Sequence, residues 1–589
     1  MIKSQLLPAE FNCCVITAFQ KHTDLEKENG TFLKDTDSYN FEKTNSALYH
    51  NAKTECDGQW SCSGVILNRR LGLVLCHASV FFPFLKKKEA DFVWTEPTHI
   101  LGNEFPADLT IQIECPAESR MENHFKDKVL EHKLGLGLIP MANQASLRAE
   151  RKQHQGQLLM LVPCPEFQKA FSRLFNKSEG WAFSSEEEKE EYGEMKKDLA
   201  YLHWFAVLKL QNPLTISCPK ISIMDAKKLQ KGSSVFACGS PFGSFYPDIF
   251  LNTISKGVLS NIAGDRNVVL LTDARCLPGS EGGGIFSVDD GVLQLVGIVV
   301  APLCWKTNEW VGLTLACAIS HILENLMKAF AMSGMNVKNQ LTQLMPTESC
   351  VTELERPLQP IEQLLSSVVL VDSGQVWGSG VLLNSNIVLT CRHVLRGASK
   401  VSVKIRPPTS EKYRAITGKV LFASSESSPY DIAVVKLEEV FHGIPNPVLS
   451  SHYNVGEDVC VVGYGAFGEN CGPSVTSGIL SAVICTEESP VMLQTTCAVH
   501  GGSSGGPLFA TQSGELLGIV ASNTRDNSTG ATYPHLNFSI PLTVLQAALH
   551  RYIEHGDVQG FQMLNRVRHS VRDVWRLQRK PEKAFPSKL

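Results

Sequence analysis

The sequence predicts an all-β fold, barrel or sandwich, laid down twice along one chain. Three observations carry that expectation. Most apolar stretches are short runs bounded by Gly, Ser, Asn and Pro, the pattern of strands joined by turns. The runs recur in the same order in both halves, the mark of an internal repeat. Helical periodicity is confined to the segments that close each half.

The repeat runs block by block. Segment 63–81, SGVILNRRLGLVLCHASVF, resembles segment 379–395, SGVLLNSNIVLTCRHVL, each a pair of β-branched and leucine-rich runs about a turn. WFAVLKL (204–210) resembles DIAVVKL (431–437), and VFACGSPFG (235–243) resembles VCVVGYGAFG (459–468). Similar short strands follow, SKGVLSNI and TSGILSAV. Last come TDARCLPGSEGGGIF (272–286) and TTCAVHGGSSGGPLF (495–509), each leading into a strand that ends VGIVVA or LGIVAS. Glycine-rich turns alone would not recur in that order.

At 589 residues the chain is too long for one hydrophobic core, so two or more domains are expected. Residues 1–332 form the first, with a charge run at 184–198 that reads as a solvated insertion. Residues 333–360 read as a linker, residues 361–555 as the second domain and residues 556–589 as a helical tail. Helices are placed at about 318–331 and about 541–555, closing the two domains. Within the tail, Phe561, Leu564, Val567, Val571 and Val574 fall at helical spacing among arginines. That spacing predicts a helix over 561–579, packed on its own domain or set against a partner or membrane surface.

The second half carries the parts that acyl transfer by a serine needs: a nucleophile, a base for its proton, an acid to orient the base, and donors for the oxyanion. Ser504 lies in GGSSGGP, where small residues allow a tight turn that aims the backbone N–H groups of Gly502 and Ser504 at one point, the expected oxyanion hole. Ser503 is the competing hydroxyl, but the Gly-Gly pair that frees the turn directly follows Ser504. His393 ends the strand NIVLTCRHVL, and Asp431 stands just before the buried run IAVVKL. Either alone would read as structural. The order His, Asp, Ser, with spacings long enough for convergence across a cleft between two barrels, makes His393, Asp431 and Ser504 the expected catalytic residues.

Residues 361–555 resemble the trypsin-fold serine proteases of the HtrA/Deg branch, with GSGVLL, LTCRHVL, DIAVVKL, GYGAFG and SSGGPL in the family order. The resemblance implies two tandem trypsin-like double β-barrel domains with peripheral C-terminal helices. With the terminal SKL and the degenerate first half, the whole chain is similar to the glyoxysomal processing proteases. That implies a peroxisomal serine endopeptidase that removes N-terminal targeting presequences next to a cysteine and processes some peroxisomal fatty-acid oxidation enzymes. In trypsin-fold enzymes the residue six before the nucleophile floors the substrate pocket. Here it is Ala498, which offers no carboxylate to Lys or Arg and suits a small or apolar side chain. The strand LLGIVASN (516–523) is expected to pair with the extended substrate backbone. One departure is Thr496, where Deg proteins commonly carry an aspartate that the first half keeps as Asp273. No PDZ-like module follows the protease domain.

The first half fails at each catalytic position. Glu281 replaces Ser504, Trp204 replaces Asp431 and Ser79 falls opposite His393, with His77 two residues out of register. A carboxylate is no alkoxide source and a tryptophan offers no acceptor oxygen to an imidazole. A barrel kept for packing, substrate capture or self-association as a homo-oligomer is expected.

The formal charge of −4 argues against a general nucleic-acid binder. No window reaches the roughly 18 apolar residues needed to cross a bilayer, so neither a leader nor a transmembrane segment is expected. The eighteen cysteines lack CxxC pairs, which points to reduced, buried thiols and to no metal; no cofactor is expected. Ser587, Lys588 and Leu589 form the address read by the peroxisomal import receptor, following a polar, proline-broken stretch suited to an exposed end. Two other readings compete: a quality-control protein that holds peroxisomal clients with proteolysis secondary, and a cytosolic or viral protease whose SKL is accidental.

Overall fold

The computed structural model describes residues 2–20, 58–85, 98–117, 151–175, 180–183, 201–214, 221–289, 291–307, 309–334, 364–407, 412–525 and 532–576. The acidic run at 184–198, most of the expected linker and the terminal SKL lie outside the described residues. The chain forms two compact units, one from most of residues 1–349, the other from residues 350–589 with the short stretches 258–261 and 309–312.

Barrels, not sandwiches, are what the short runs build. In the first half, β1 (Cys13–Gln20), β2 (Trp60–Asn68), β3 (Leu73–His77), β4 (Leu109–Pro116), β5 (Arg151–Pro163) and β6 (Trp204–Leu210) close into one ring. A second ring follows from β7 (Ser234–Gly239), β8 (Thr253–Ala263), β9 (Val269–Thr272), β10 (Gly284–Asp289), β11 (Val292–Ala301) and β12 (Thr314–Ala318). In the second half, β13 (Val368–Asp372), β14 (Trp377–Leu382), β15 (Ile387–Thr390), β16 (Lys400–Ile405), β17 (Arg414–Ala423) and β18 (Ala433–Leu437) make a closed barrel. Its companion is built from β19 (Asp458–Gly463), β20 (Ser474–Thr486), β21 (Ser489–Thr495), β22 (Pro507–Ala510), β23 (Leu516–Arg525) and β24 (Thr532–Pro541). Every ring follows the same circuit, in which the third strand pairs with the sixth and the fourth returns to the first. Closure pairs each strand with a neighbour on either side over part of its length, which suits strands this short.

Strands such as VVLVD and IVLT read as unbroken apolar runs because both their faces are covered: Val369, Val371, Val388 and Leu389 are fully buried. Strand register aligns the two halves residue for residue. Gly64 pairs with Cys76 and Gly380 with Thr390, while Cys76 faces Ala206 and Thr390 faces Ala433. Counting from these pairs, Trp204 takes the place of Asp431 and Ser79 that of His393.

Helices stand where the sequence places them at the domain ends, α3 (Ile319–Met332) and α5 (Thr543–His555). Among the described residues, two longer helices were not anticipated. These are α1 (Ile2–Asn12) and α2 (Pro165–Leu174), the latter burying Phe167, Ala170, Phe171 and Leu174 at helical spacing. The one-turn α4 (Arg392–Leu395) carries His393 off the end of β15.

The tail corrects the single helix expected over 561–579. It is a 3-10 segment, Val558–Asn565, followed by a short α6 (His569–Trp575). The Leu564 carbonyl accepts a hydrogen bond from the Ser428 hydroxyl, and Asn565 binds the Ser425 N–H, so contacts with the domain compete with the helix ladder. Phe561, Leu564 and Val571 are buried in the domain core, and Val567 and Val574 pack against it. Among the described residues no helix is long and apolar enough to cross a membrane. The described cysteines are free and, Cys485 apart, buried.

Candidate active site

The loop between β21 and β22 holds Ser504. Gly502 and Gly505 take φ of +91° and +84°, and neither position has room for a side chain. A Cβ on Gly502 would lie 2.3 Å from the Trp377 ring, and one on Gly505 would lie 2.2 Å from the Ser379 carbonyl oxygen. The Ser503 N–H turns inward to the His500 carbonyl (3.0 Å) and the Gly505 N–H to the Val520 carbonyl (2.8 Å). Among the described residues, the N–H groups of Gly502 and Ser504 donate to no protein acceptor, which leaves both available to a ligand oxygen. Ser503 is buried, 4% exposed, whereas Ser504 is only partly covered.

Ser379, fully buried on β14, ties this loop to the first barrel of the unit. Its N–H donates to the Ser504 carbonyl (2.9 Å) and its hydroxyl donates to the Gly502 carbonyl (2.7 Å) while accepting from the Tyr464 N–H (2.8 Å). Its own carbonyl accepts from the Thr390 hydroxyl (2.7 Å). Sequence reasoning missed this residue, although the Ser-Gly opening both SGVIL and SGVLL was a visible signal.

His393 and Asp431 meet. The Asp431 carboxylate accepts from the His393 backbone N–H (3.0 Å) and hydrogen-bonds the ring at Nδ1, which turns Nε2 away from the acid. Arg392 lies 3.5 Å from the same carboxylate. Burial pushes the Asp431 carboxyl up, but the His393 bonds and the Arg392 charge outweigh it and hold the group below the usual carboxylate range. The Ser504 turn passes close to the segment that carries His393: a Cβ on Gly505 would lie 2.9 Å from the Cys391 nitrogen, two residues before His393. Among the described residues His393 and Ser504 share no hydrogen bond, a contact that commonly tightens only when substrate binds.

Cys391, His393 and Asp431 offer three ligand atoms within 4.8 Å of one another. A metal is a poor fit. Burial, with the Asp431 charge, pushes the Cys391 thiol well up, and its Sγ already contacts the Val520 carbonyl at 3.2 Å. Ala498 is buried, and its carbonyl accepts from the Thr476 hydroxyl (2.8 Å). On β23, Gly518 and Ile519 are paired on both sides, by β22 and β24, whereas among the described residues the ladder from Ser522 onward is with β24 alone. The edge available to a substrate strand is therefore the outer part of 516–523.

The loop in the first half keeps the scaffold with Glu281 in place of the serine. Ser63 repeats Ser379: its N–H donates to the Glu281 carbonyl (2.8 Å), its hydroxyl donates to the Gly279 carbonyl (2.7 Å) and accepts from the Ser240 N–H (2.8 Å). Gly279 and Gly282 have φ of +93° and +81°. The Glu281 side chain folds back to accept the Gly279 N–H at 2.7 Å, the donor that corresponds to Gly502. Burial raises this carboxyl to about 6, against the pull of the Glu281 and Gly279 N–H groups. His77 hydrogen-bonds Ser79 (2.9 Å) and the Leu202 carbonyl (3.3 Å), a structural role.

Comparison with known proteins identifies the family. The trypsin-like peptidase domain model matches residues 378–519. The peroxisomal leader peptide-processing protease of Mus musculus is 48% identical over 90% of this chain and 95% of its own length, and that of Homo sapiens 46% identical over the same shares. The chain belongs to this family of peroxisomal processing proteases. It is a serine endopeptidase built on tandem double barrels. A probable periplasmic DegP-like serine endoprotease of Hahella chejuensis is 32% identical over 31% of the chain and 37% of its own length, a span too short for more than the protease domain.

Proposed function

We propose that this peroxisomal protease removes leader peptides from imported precursors through Ser504, His393 and Asp431. The observation that carries the reading is the His393–Asp431 pair set beside the Ser504 turn. Ser504 Oγ attacks the scissile carbonyl while His393 Nε2 takes its proton, and Asp431 holds the ring by Nδ1 and stabilises the imidazolium that forms. The negative charge that develops on the carbonyl oxygen falls to the Gly502 and Ser504 N–H groups. His393 returns the proton to the leaving amine, and water attacks the acyl-enzyme by the same relay in reverse. The buried position of Ser503 supports Ser504 as the nucleophile. Ala498 favours a small or apolar residue before the cut bond.

The relatives' name supports leader-bearing precursors as the substrates, and to these the proposal adds certain enzymes of peroxisomal fatty-acid oxidation. The import receptor engages Ser587, Lys588 and Leu589. The test uses the purified full chain with precursors, sequencing the new N-termini beside a Ser504→Ala control. Loss of processing in the variant with precursor binding intact upholds the reading; unchanged processing removes Ser504 from the mechanism.

A further inference from the structure

We infer that the C-terminal tail, residues 558–575, is a positioning brace for the catalytic acid; this rests on the assignment of His393, Asp431 and Ser504 above. Asp431 is carried by the loop 424–431, SSESSPYD, which leaves β17 and re-enters the barrel at β18. Serines in such a loop order it only weakly by themselves, through bonds such as the Ser428 N–H to the Ser425 carbonyl at 2.9 Å.

The tail supplies what the loop lacks. Asn565 Oδ1 accepts the Ser425 N–H at 2.8 Å, and the Leu564 carbonyl accepts the Ser428 hydroxyl at 2.5 Å. Trp575 sets its ring edge-on to Tyr430, the residue before Asp431, with centroids 6.2 Å apart, and donates its Nε1–H to the Val491 carbonyl at 3.0 Å. Phe561 stacks on Phe422 at the end of β17 (5.5 Å). The brace then passes to the acid itself. Ser425, gripped at its N–H by Asn565, uses its carbonyl to accept from Arg392, and Arg392 lies beside the Asp431 carboxylate. A run of contacts therefore joins Asn565 to Ser425, Arg392, Asp431 and His393, with both loop ends held by tail residues. An error of a fraction of an ångström in the acid would reach the base directly.

The test measures the rate at which a fluorophosphonate probe labels the full chain, separating the limiting rate from probe affinity. Wild type must label and Ser504→Ala must not; failure of that control sinks the catalytic assignment rather than the brace. Given the control, Asn565→Ala is expected to lower the limiting rate about ten-fold with affinity unchanged. Asn565→Asp, which keeps the acceptor oxygen, is expected to restore most of it. Trp575→Ala, removing the tail ring set against Tyr430, reports the same brace should Asn565→Ala fail to accumulate. Wild-type labelling in these alanine variants, or a loss that Asn565→Asp does not rescue, overturns the proposal.

Discussion

Gly279 donates its N–H to the carboxylate of Glu281, two residues further along the chain, at 2.7 Å. Since Gly279 corresponds to Gly502, the first domain fills its own vestigial oxyanion site with an internal anion. The loop thereby keeps its fold without presenting the site to a peptide carbonyl. Burial holds this carboxyl at about 6 instead of 4.5. A raised acid binds its proton more tightly folded than unfolded, so folding is favoured at low pH and loses stability as pH climbs from about 4.5 to 6. In thermal melts of the full chain, Glu281→Gln, whose amide oxygen still accepts from Gly279, is expected to gain stability relative to wild type as pH climbs from about 4.5 to 6. An unchanged difference between the two proteins across that range would remove Glu281 from the account.

His77 works with the opposite sign. Burial, opposed by the Leu202 carbonyl, lowers its ring to about 4, and the nearby His203, also buried and facing His77, falls to about 4 as well. Below 6.5 the unfolded chain takes up protons that the folded ring refuses, so stability is lost as pH falls from about 6.5 towards 4. The depressed value is worth roughly 3 kcal/mol for a single such histidine. His77→Gln, which retains a polar partner for Ser79, is expected to reduce the acid sensitivity of the first melting transition. No change in its slope against pH would refute the assignment.

Much of this architecture was written in local pattern. The strands follow from short apolar runs and turns, and the duplication from blocks in register, because burial on both strand faces and tight turns constrain neighbouring residues. His393, Asp431 and Ser504 were legible as an order of residue types. The Ser379 clamp was not, since the Ser-Gly that opens both repeats shows what it holds only once the loop is placed in space. α2 escaped notice because its four buried residues span only about two turns between strands. The tail misled in the other direction: its helical spacing is real, but Leu564 and Asn565 give their hydrogen-bonding groups to the loop before Asp431.

Ser379 and Ser63 allow the same defect to be made in the copy that carries Ser504 and in the copy that carries Glu281. Each hydroxyl bridges two backbone groups in a fully buried position, so removal to alanine strands a carbonyl and an N–H at a cost of about 1–3 kcal/mol. Both Ser379→Ala and Ser63→Ala are expected to lower the stability of their own domain by that amount. Only Ser379→Ala should slow fluorophosphonate labelling, because only its loop presents Ser504. Equal slowing by both variants would mean that the clamp acts through general stability.

Asp431→Asn tests the acid with its shape preserved. The wild-type carboxylate is ionised well into the acid range, since the His393 bonds and Arg392 outweigh its burial. Its stabilising effect is present above the unfolded carboxyl value and is lost only as pH falls through the lower folded one. The asparagine amide carries no charge to stabilise an imidazolium, and when its NH2 faces Nδ1 it favours the tautomer that cannot accept the serine proton at Nε2. Peptide hydrolysis is expected to fall about 10³–10⁴-fold in kcat at neutral pH, while KM changes little. A loss smaller than ten-fold would show that His393 draws its orientation from elsewhere, with the backbone bond from its own N–H to residue 431 the first place to look.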